Sequence, residues 1–207
     1  MRVLLIMTIT LLMSARCMAQ VDTTSATFEK LNKKIEDLKN RKTSFIISHY
    51  RSCIGGMVRM HPRDSCIAFD RKYLFWADNE HFYMQRFDEC KTYDSCQVSP
   101  IFLNFIKANY LKIKTADLRT PTFKSKNSRH SKYSLLIDHT CYDIYHVFSG
   151  RDDYVKKLNE FFLETEYFEK QRNINYTANQ KSILNQMKTM VEREIALHDP
   201  QSKKGAD

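Results

Sequence analysis

The chain has 207 residues and a mass of 24.6 kDa, 43% of them hydrophobic and 12% aromatic, which is apolar mass for a packed core and excludes global disorder. Lys and Arg outnumber Asp and Glu by 33 to 24, a formal +9. Only four glycines occur, Gly55, Gly56, Gly150 and Gly205, which excludes the Gly-rich phosphate cradles of nucleotide-binding folds.

Residues 1–19 read as an export signal. Arg2 supplies a positive start, and Val3 to Met13 form an eleven-residue apolar run. Cys17-Met18-Ala19 then offers small residues at the cleavage positions, leaving Gln20 as the new N-terminus. As a helix the apolar run spans about 16 Å, short of the roughly 30 Å hydrocarbon layer. Lipid attachment at Cys17 is the alternative, opposed by the bulky charged Arg16 before it. No other stretch is long and apolar enough to span a membrane. The expected product is a secreted or periplasmic monomer.

The expected domain is 20–197, followed by a loose polar tail over 198–207. Residues 24–42 show a helical stripe of Phe28, Leu31, Ile35 and Leu38, with Thr23 or Ser25 as caps. Phe45, Ile46 and Ile47 form a short apolar run that fits either element type. Gly55-Gly56 and Pro62 mark a loop.

Residues 66–90 give the clearest strand signal, two aromatic-rich runs around Asp78-Asn79-Glu80. A three-residue loop over 77–79 would pair Phe75 with His81, Leu74 with Phe82 and Tyr73 with Tyr83. One face would carry Leu74, Trp76, Phe82 and Met84, and the other Tyr73, Phe75, Tyr83 and Phe87. With both faces apolar, this hairpin belongs near the middle of a sheet.

Ser99-Pro100 opens a helix, with Ser as N-cap and Pro in the first turn. Ile101, Phe102, Phe105, Ile106 and Leu111 mark its stripe, and it ends before Asp117. Residues 119–132 form a loop with five cations, His130 and no acid. Tyr133 to Asp138 and Cys141 to Phe148 read as strands, and 160–168 as another. The last helix, 178–197, follows Ile183, Leu184, Met187, Met190, Val191 and Ile195. The pattern implies a single α+β domain: an antiparallel sheet with a central aromatic hairpin and about three packed helices.

After export, disulfides are the expected state of Cys53, Cys66, Cys90, Cys96 and Cys141. Sequence-local pairing favours Cys53–Cys66 and Cys90–Cys96, with Cys141 left over; Cys66 with Cys90 is a rival. No C-x-x-C, H-E-x-x-H or EF-hand spacing is present, so neither a metal nor a cofactor is expected.

Catalytic signals are sparse. Asp138-His139-Thr140-Cys141 contains the residue types of a thiolate nucleophile with base and orienter. The basic chain also holds His49, His61, His81, His130, His139 and His146, which suit nuclease acid–base work, with His81 beside the aromatic hairpin. No spacing ties any two of them together. The basic loop is the better candidate: Arg119, Lys124, Lys126, Arg129 and Lys132 would steer a polyanion, with Phe123 stacking or anchoring. Asn175-Tyr176-Thr177 is a glycosylation sequon. The expected function is an exported binding protein with a protein or polyanionic partner; a secreted hydrolase, using Cys141 or histidines, is the alternative.

Overall fold

The computed structural model describes residues 26–54, 71–89, 93–125, 131–150 and 152–199. The export signal, the caps Thr23 and Ser25, the 66–70 start of the first hairpin run, Cys66 and Cys90 lie outside them. In chain order the elements are α1 (Ala26–Asn40), β1 (Phe45–Cys53), β2 (Lys72–Asp78), β3 (His81–Phe87) and β4 (Cys96–Gln97). Then come α2 (Pro100–Ala108), α3 (Tyr110–Thr115), β5 (Thr122–Lys124), β6 (Lys132–Ser134), β7 (Cys141–Ser149) and β8 (Asp152–Asn159). The chain continues with α4 (Glu160–Glu164), β9 (Tyr167–Phe168), β10 (Gln171–Arg172), α5 (Tyr176–Gln180) and α6 (Ile183–His198).

Six strands form one antiparallel sheet in the order β4-β3-β2-β1-β7-β8. The ambiguous Phe45–Ile47 run starts its central strand, and residues 45–49 are all buried. Both faces are covered there, so no polar alternation marks the strand in sequence.

On one face, Leu31, Ile35 and Leu38 of α1 pack on Ile46, Leu74, Trp76 and Phe87. On the other, Phe102, Leu103 and Ile106 of α2 and Leu184, Met187, Val191 and Ile195 of α6 pack on Phe45, Ile47, Phe75, Met84 and Val147. Each such aliphatic or aromatic side chain gains about 1.5–3 kcal/mol from burial. Three packed helices on an antiparallel sheet, with three shorter helices among the described residues, make the expected α+β fold.

The β2–β3 register differs by three residues from expectation, Phe75 facing Met84 rather than His81. Only Asn79 and Glu80 lie in the turn, because Asn79 adopts φ 54° and closes it tightly. Phe75 therefore faces Met84, and Trp76 faces Tyr83. Tyr73, Phe75, Phe82 and Met84 share the α2–α6 face, while Leu74, Trp76, Tyr83 and Phe87 share the α1 face. A slip by an odd number of residues, here three, exchanges the faces of a whole strand.

Other boundaries shift for identifiable reasons. Ser99 caps α2 as expected, accepting from the Ile101 amide at 3.2 Å. The helix breaks at Asn109, after which Leu111 is exposed and Ile113 buried; in the first turn of α2 Ile101 is exposed and Leu103 buried. Of the strand expected over 160–168 only Tyr167–Phe168 is strand (β9); Glu160–Glu164 form the helix α4, because the Asn159 side chain accepts from the Phe161 amide at 2.9 Å and caps it. The strand expected over Tyr133–Asp138 is confined to β6. Ser182 caps α6 through the Asn185 amide at 3.1 Å, so the helix starts at Ile183, after the separate short α5.

The tail does not loosen at His198. His198 ends α6, and Asp199 is buried, accepting from Arg86 at 3.0 Å and from the Tyr73 hydroxyl at 2.8 Å.

The local disulfide scheme is overturned. Cys53 is bonded to Cys141, 88 residues away, which excludes Cys53–Cys66 and removes Cys141 as the leftover thiol. Cys96 is free, so Cys90–Cys96 is not formed either. The local scheme failed because β1 and β7 are neighbours in the sheet, with Cys53 directly opposite Cys141.

Candidate functional site

Part of the segment expected as a basic loop is a pinned two-stranded platform: Thr122–Lys124 pair with Lys132–Ser134. Asn179 grips Arg119 on both sides: its Oδ1 accepts from the Arg119 amide at 2.9 Å, and its Nδ2 donates to the Arg119 carbonyl at 2.7 Å. The Oδ1 of Asn173 accepts from the Thr122 amide at 3.0 Å, and Asn175 donates to the Thr120 carbonyl at 2.9 Å. Three short amides thus satisfy backbone groups of an otherwise irregular approach to β5. The Asn175 amide nitrogen of the sequon is occupied by these contacts.

Phe123 anchors the platform from beneath. It is fully buried, with ring centroids 5.6 Å from Tyr133 and 5.8 Å from Phe168. The stacking role expected for it is therefore excluded; its side chain belongs to the protein's own packing.

The cations flanking Phe123 point the other way. Lys124 and Lys132 are exposed and directly opposite each other across β5 and β6. Like charges at a cross-strand pair repel, and here the fold holds them together. Beside them is a cleft of about 590 Å³ lined by Lys124, Ser125, Gln171, Arg172, Asn173 and Ile174, with two cations and no carboxylate in that set. Arg172 makes a 3.2 Å ion pair with Glu166. Arg119 is exposed at the base of the platform, whereas Lys126 and Arg129 lie outside the described residues.

The catalytic candidates do not converge. Cys141 is half of a disulfide and has no thiol to ionise. Asp138 and His139 are exposed in a bend before β7. His81 is exposed beside the β2–β3 turn, with Nδ1 3.4 Å from Gln97, at the sheet end remote from Cys141. His49 and His146 occupy opposite faces of the sheet, and burial lowers the His146 imidazole. His61 and His130 lie outside the described residues.

A buried ionic cluster is the feature the sequence did not disclose. His49 Nε2 is 3.0 Å from Asp143 Oδ1, and Lys188 Nζ donates to Asp143 Oδ2 at 2.6 Å. Lys188 also contacts Glu192. Burial pushes the Asp143 carboxyl up, but the His49 contact and the Lys188 ammonium outweigh it and hold the group down at about 2. Burial lowers Lys188, and Asp143 more than restores it, so its net direction is up.

Tyr145 stacks on His49 with centroids 4.7 Å apart. Its hydroxyl and His49 Nδ1 are buried without a hydrogen-bond partner among the described residues. With side chains only 8% and 4% exposed, His49 and Asp143 resemble a catalytic dyad in chemistry but are closed to substrate. With Lys188 they tie α6 to β1 and β7. No spacing announces a pair 94 residues apart, and only the sheet register brings them together.

Among the described residues no group of His, Cys, Asp and Glu side chains is arranged to hold a metal ion. Nor is any helix there long and apolar enough to cross a membrane. No family model matches the chain, and no curated protein or solved structure is similar to it.

Proposed function

We propose that this is an exported binding protein that holds a polyanionic partner on the β5–β6 hairpin. The observation that carries this reading is the Lys124–Lys132 pair, two exposed cations fixed opposite each other beside a cleft without carboxylates. A bound anion relieves that repulsion and gains two charge-assisted contacts without first ordering the strands. The Cys53–Cys141 disulfide supports an oxidising compartment, in keeping with an export signal over 1–19. The hydrolase alternative gains no support, since Cys141 offers no thiolate and the described histidines do not share a cleft.

The test is binding of a sulfated polysaccharide to the full mature chain across a salt series. Neutralising Lys124 and Lys132 to Gln together should weaken binding and flatten its salt dependence, because fewer counterions are displaced. Unfolding free energy should change by less than about 1 kcal/mol per exposed charge. Equal, equally salt-sensitive binding by the double variant would overturn the site.

A further inference from the structure

β8 is the last strand of the sheet, and its outer edge pairs with no strand among the described residues. Its two faces are used very differently. Toward α2 and α6, Asp152 accepts from Lys114 and Tyr110, Tyr154 packs edge-on to Tyr110, and Lys156 Nζ donates to the Ala116 carbonyl at 2.6 Å. Toward the α1 side, Asp153, Val155 and Lys157 are all exposed, and α1 packs over β2 and β3 rather than above them. Val155 is 47% exposed, a β-branched side chain on an uncovered strand. Neither Asp153 nor Lys157 makes an ion pair among the described residues.

An edge of this kind is usually blunted by charge. Here the order of charges does the opposite for one partner, a second copy of the same edge. When two β8 strands run antiparallel about a two-fold axis normal to the sheet, opposite residues share a face. Centring the axis on Val155 sets Val155 against Val155 of the second copy. It also sets each Asp153 against a Lys157, twice over. Moving the axis one residue toward the C-terminus sets Lys156 against Lys156; moving it one residue the other way sets Asp152 against Lys156, but Asp152 is already held by Lys114 and Tyr110 and Lys156 by the Ala116 carbonyl. Only the register centred on Val155 pairs the two charges of this strand, Asp153 and Lys157, that are not already engaged among the described residues.

We propose that the chain self-associates through β8, forming a continuous twelve-stranded sheet with Val155 at the two-fold axis and reciprocal Asp153–Lys157 pairs on either side. This differs from the monomer expected from sequence and is independent of anion binding at β5–β6. The outward backbone groups of β8 find partners, the exposed valines cover each other, and the two charge pairs fix the register.

Sedimentation of the mature chain over a concentration series reads the association. The native chain should pass from monomer to dimer. Asp153→Lys, or Lys157→Asp, turns both charge pairs repulsive and should weaken the dimer by about tenfold. The double exchange, Asp153→Lys with Lys157→Asp, restores opposite charges and should recover native affinity. A register readout uses Val155→Cys in a Cys96→Ser background, which should cross-link into covalent dimers under mild oxidation. Lys157→Cys in the same background should not. A native chain that stays monomeric throughout, single exchanges that associate like the native chain, or a double exchange that fails to recover would each overturn the proposal.

Discussion

Cys53 and Cys141 stand directly opposite each other on neighbouring strands, although 88 residues separate them in the chain. The bond closes the end of the β1–β7 ladder and holds these two neighbouring inner strands in register. It also encloses the whole of β2, β3, α2 and the basic platform within one covalent loop. In the chain-entropy account a loop of this length contributes about 4–5 kcal/mol by restricting the unfolded chain.

Removing the bond, by Cys53→Ala with Cys141→Ala, should lower the unfolding free energy by about 4–5 kcal/mol, with less if the unfolded chain retains structure. Denaturant unfolding of the oxidised and reduced native chain checks it. The native chain should lose most of this margin on reduction, whereas the double variant should not respond to reductant. Peptide mapping under non-reducing conditions should recover Cys53 and Cys141 as one linked pair. A native chain indifferent to reductant would show that the bond carries little stability.

Asp143 gives the fold a defined response to acid. Its carboxyl sits at about 2 in the folded protein against an ordinary 3.8, because the His49 contact and Lys188 outweigh the burial that would raise it. A lowered acid pKa contributes stability above the unfolded value and loses it as pH falls toward the folded one. The contribution is thus complete above about pH 4 and fades toward pH 2. Urea midpoints measured across that window should fall in the native chain and fall less steeply in Asp143→Asn. At neutral pH that substitution should cost about 2 kcal/mol, below that of an unpaired buried charge, since Lys188 loses its buried partner but keeps the more exposed Glu192. Identical slopes in the two chains would remove Asp143 from the acid response.

Which parts of this were legible in the sequence follows from range. The stripes Leu31, Ile35, Leu38 and Leu184, Met187, Val191 are local patterns, and both gave their helices. Ser99 before Pro100 is equally local, and so is the aromatic run of β2. The Cys53–Cys141 bond and the His49–Asp143 pair depend on β7 lying beside β1, which no local pattern encodes. β1 hid because it is buried on both faces and shows no alternation. At the candidate site, the cations Lys124 and Lys132 were visible in sequence, but their facing positions were not. Nor was the burial of Phe123, since an aromatic between cations looks the same whether it faces ligand or core.

The β2–β3 register rests on one left-handed residue, Asn79 at φ 54°. Asn tolerates that conformation, whereas a β-branched residue pays for it sterically. Asn79→Val should therefore cost about 1–2 kcal/mol, and Asn79→Gly should be neutral or slightly stabilising. Thermal unfolding of both variants provides the comparison. Equal stability of the Val and Gly variants would mean that the turn does not need a left-handed residue.

Asp199 closes the fold from its C-terminal side. Its carboxylate accepts from Arg86 at 3.0 Å and from the Tyr73 hydroxyl at 2.8 Å, joining α6 to β2 and β3. Arg86 has a second anion, Asp88 at 2.8 Å, and Tyr93 lies 4.4 Å from its guanidinium. Asp199→Ala would leave Arg86 half-compensated and the Tyr73 hydroxyl without its acceptor. Its cost should be about 2–3 kcal/mol, below that of a buried cation left fully unpaired. Tyr73→Phe removes only the hydroxyl and should cost about 1 kcal/mol. Because the two share one hydrogen bond, the double variant should cost less than the sum of the singles. Urea unfolding of the four chains measures the coupling directly. Strict additivity would mean that Asp199 serves Arg86 alone, and a neutral Asp199→Ala would mean that Asp88 suffices for that cation.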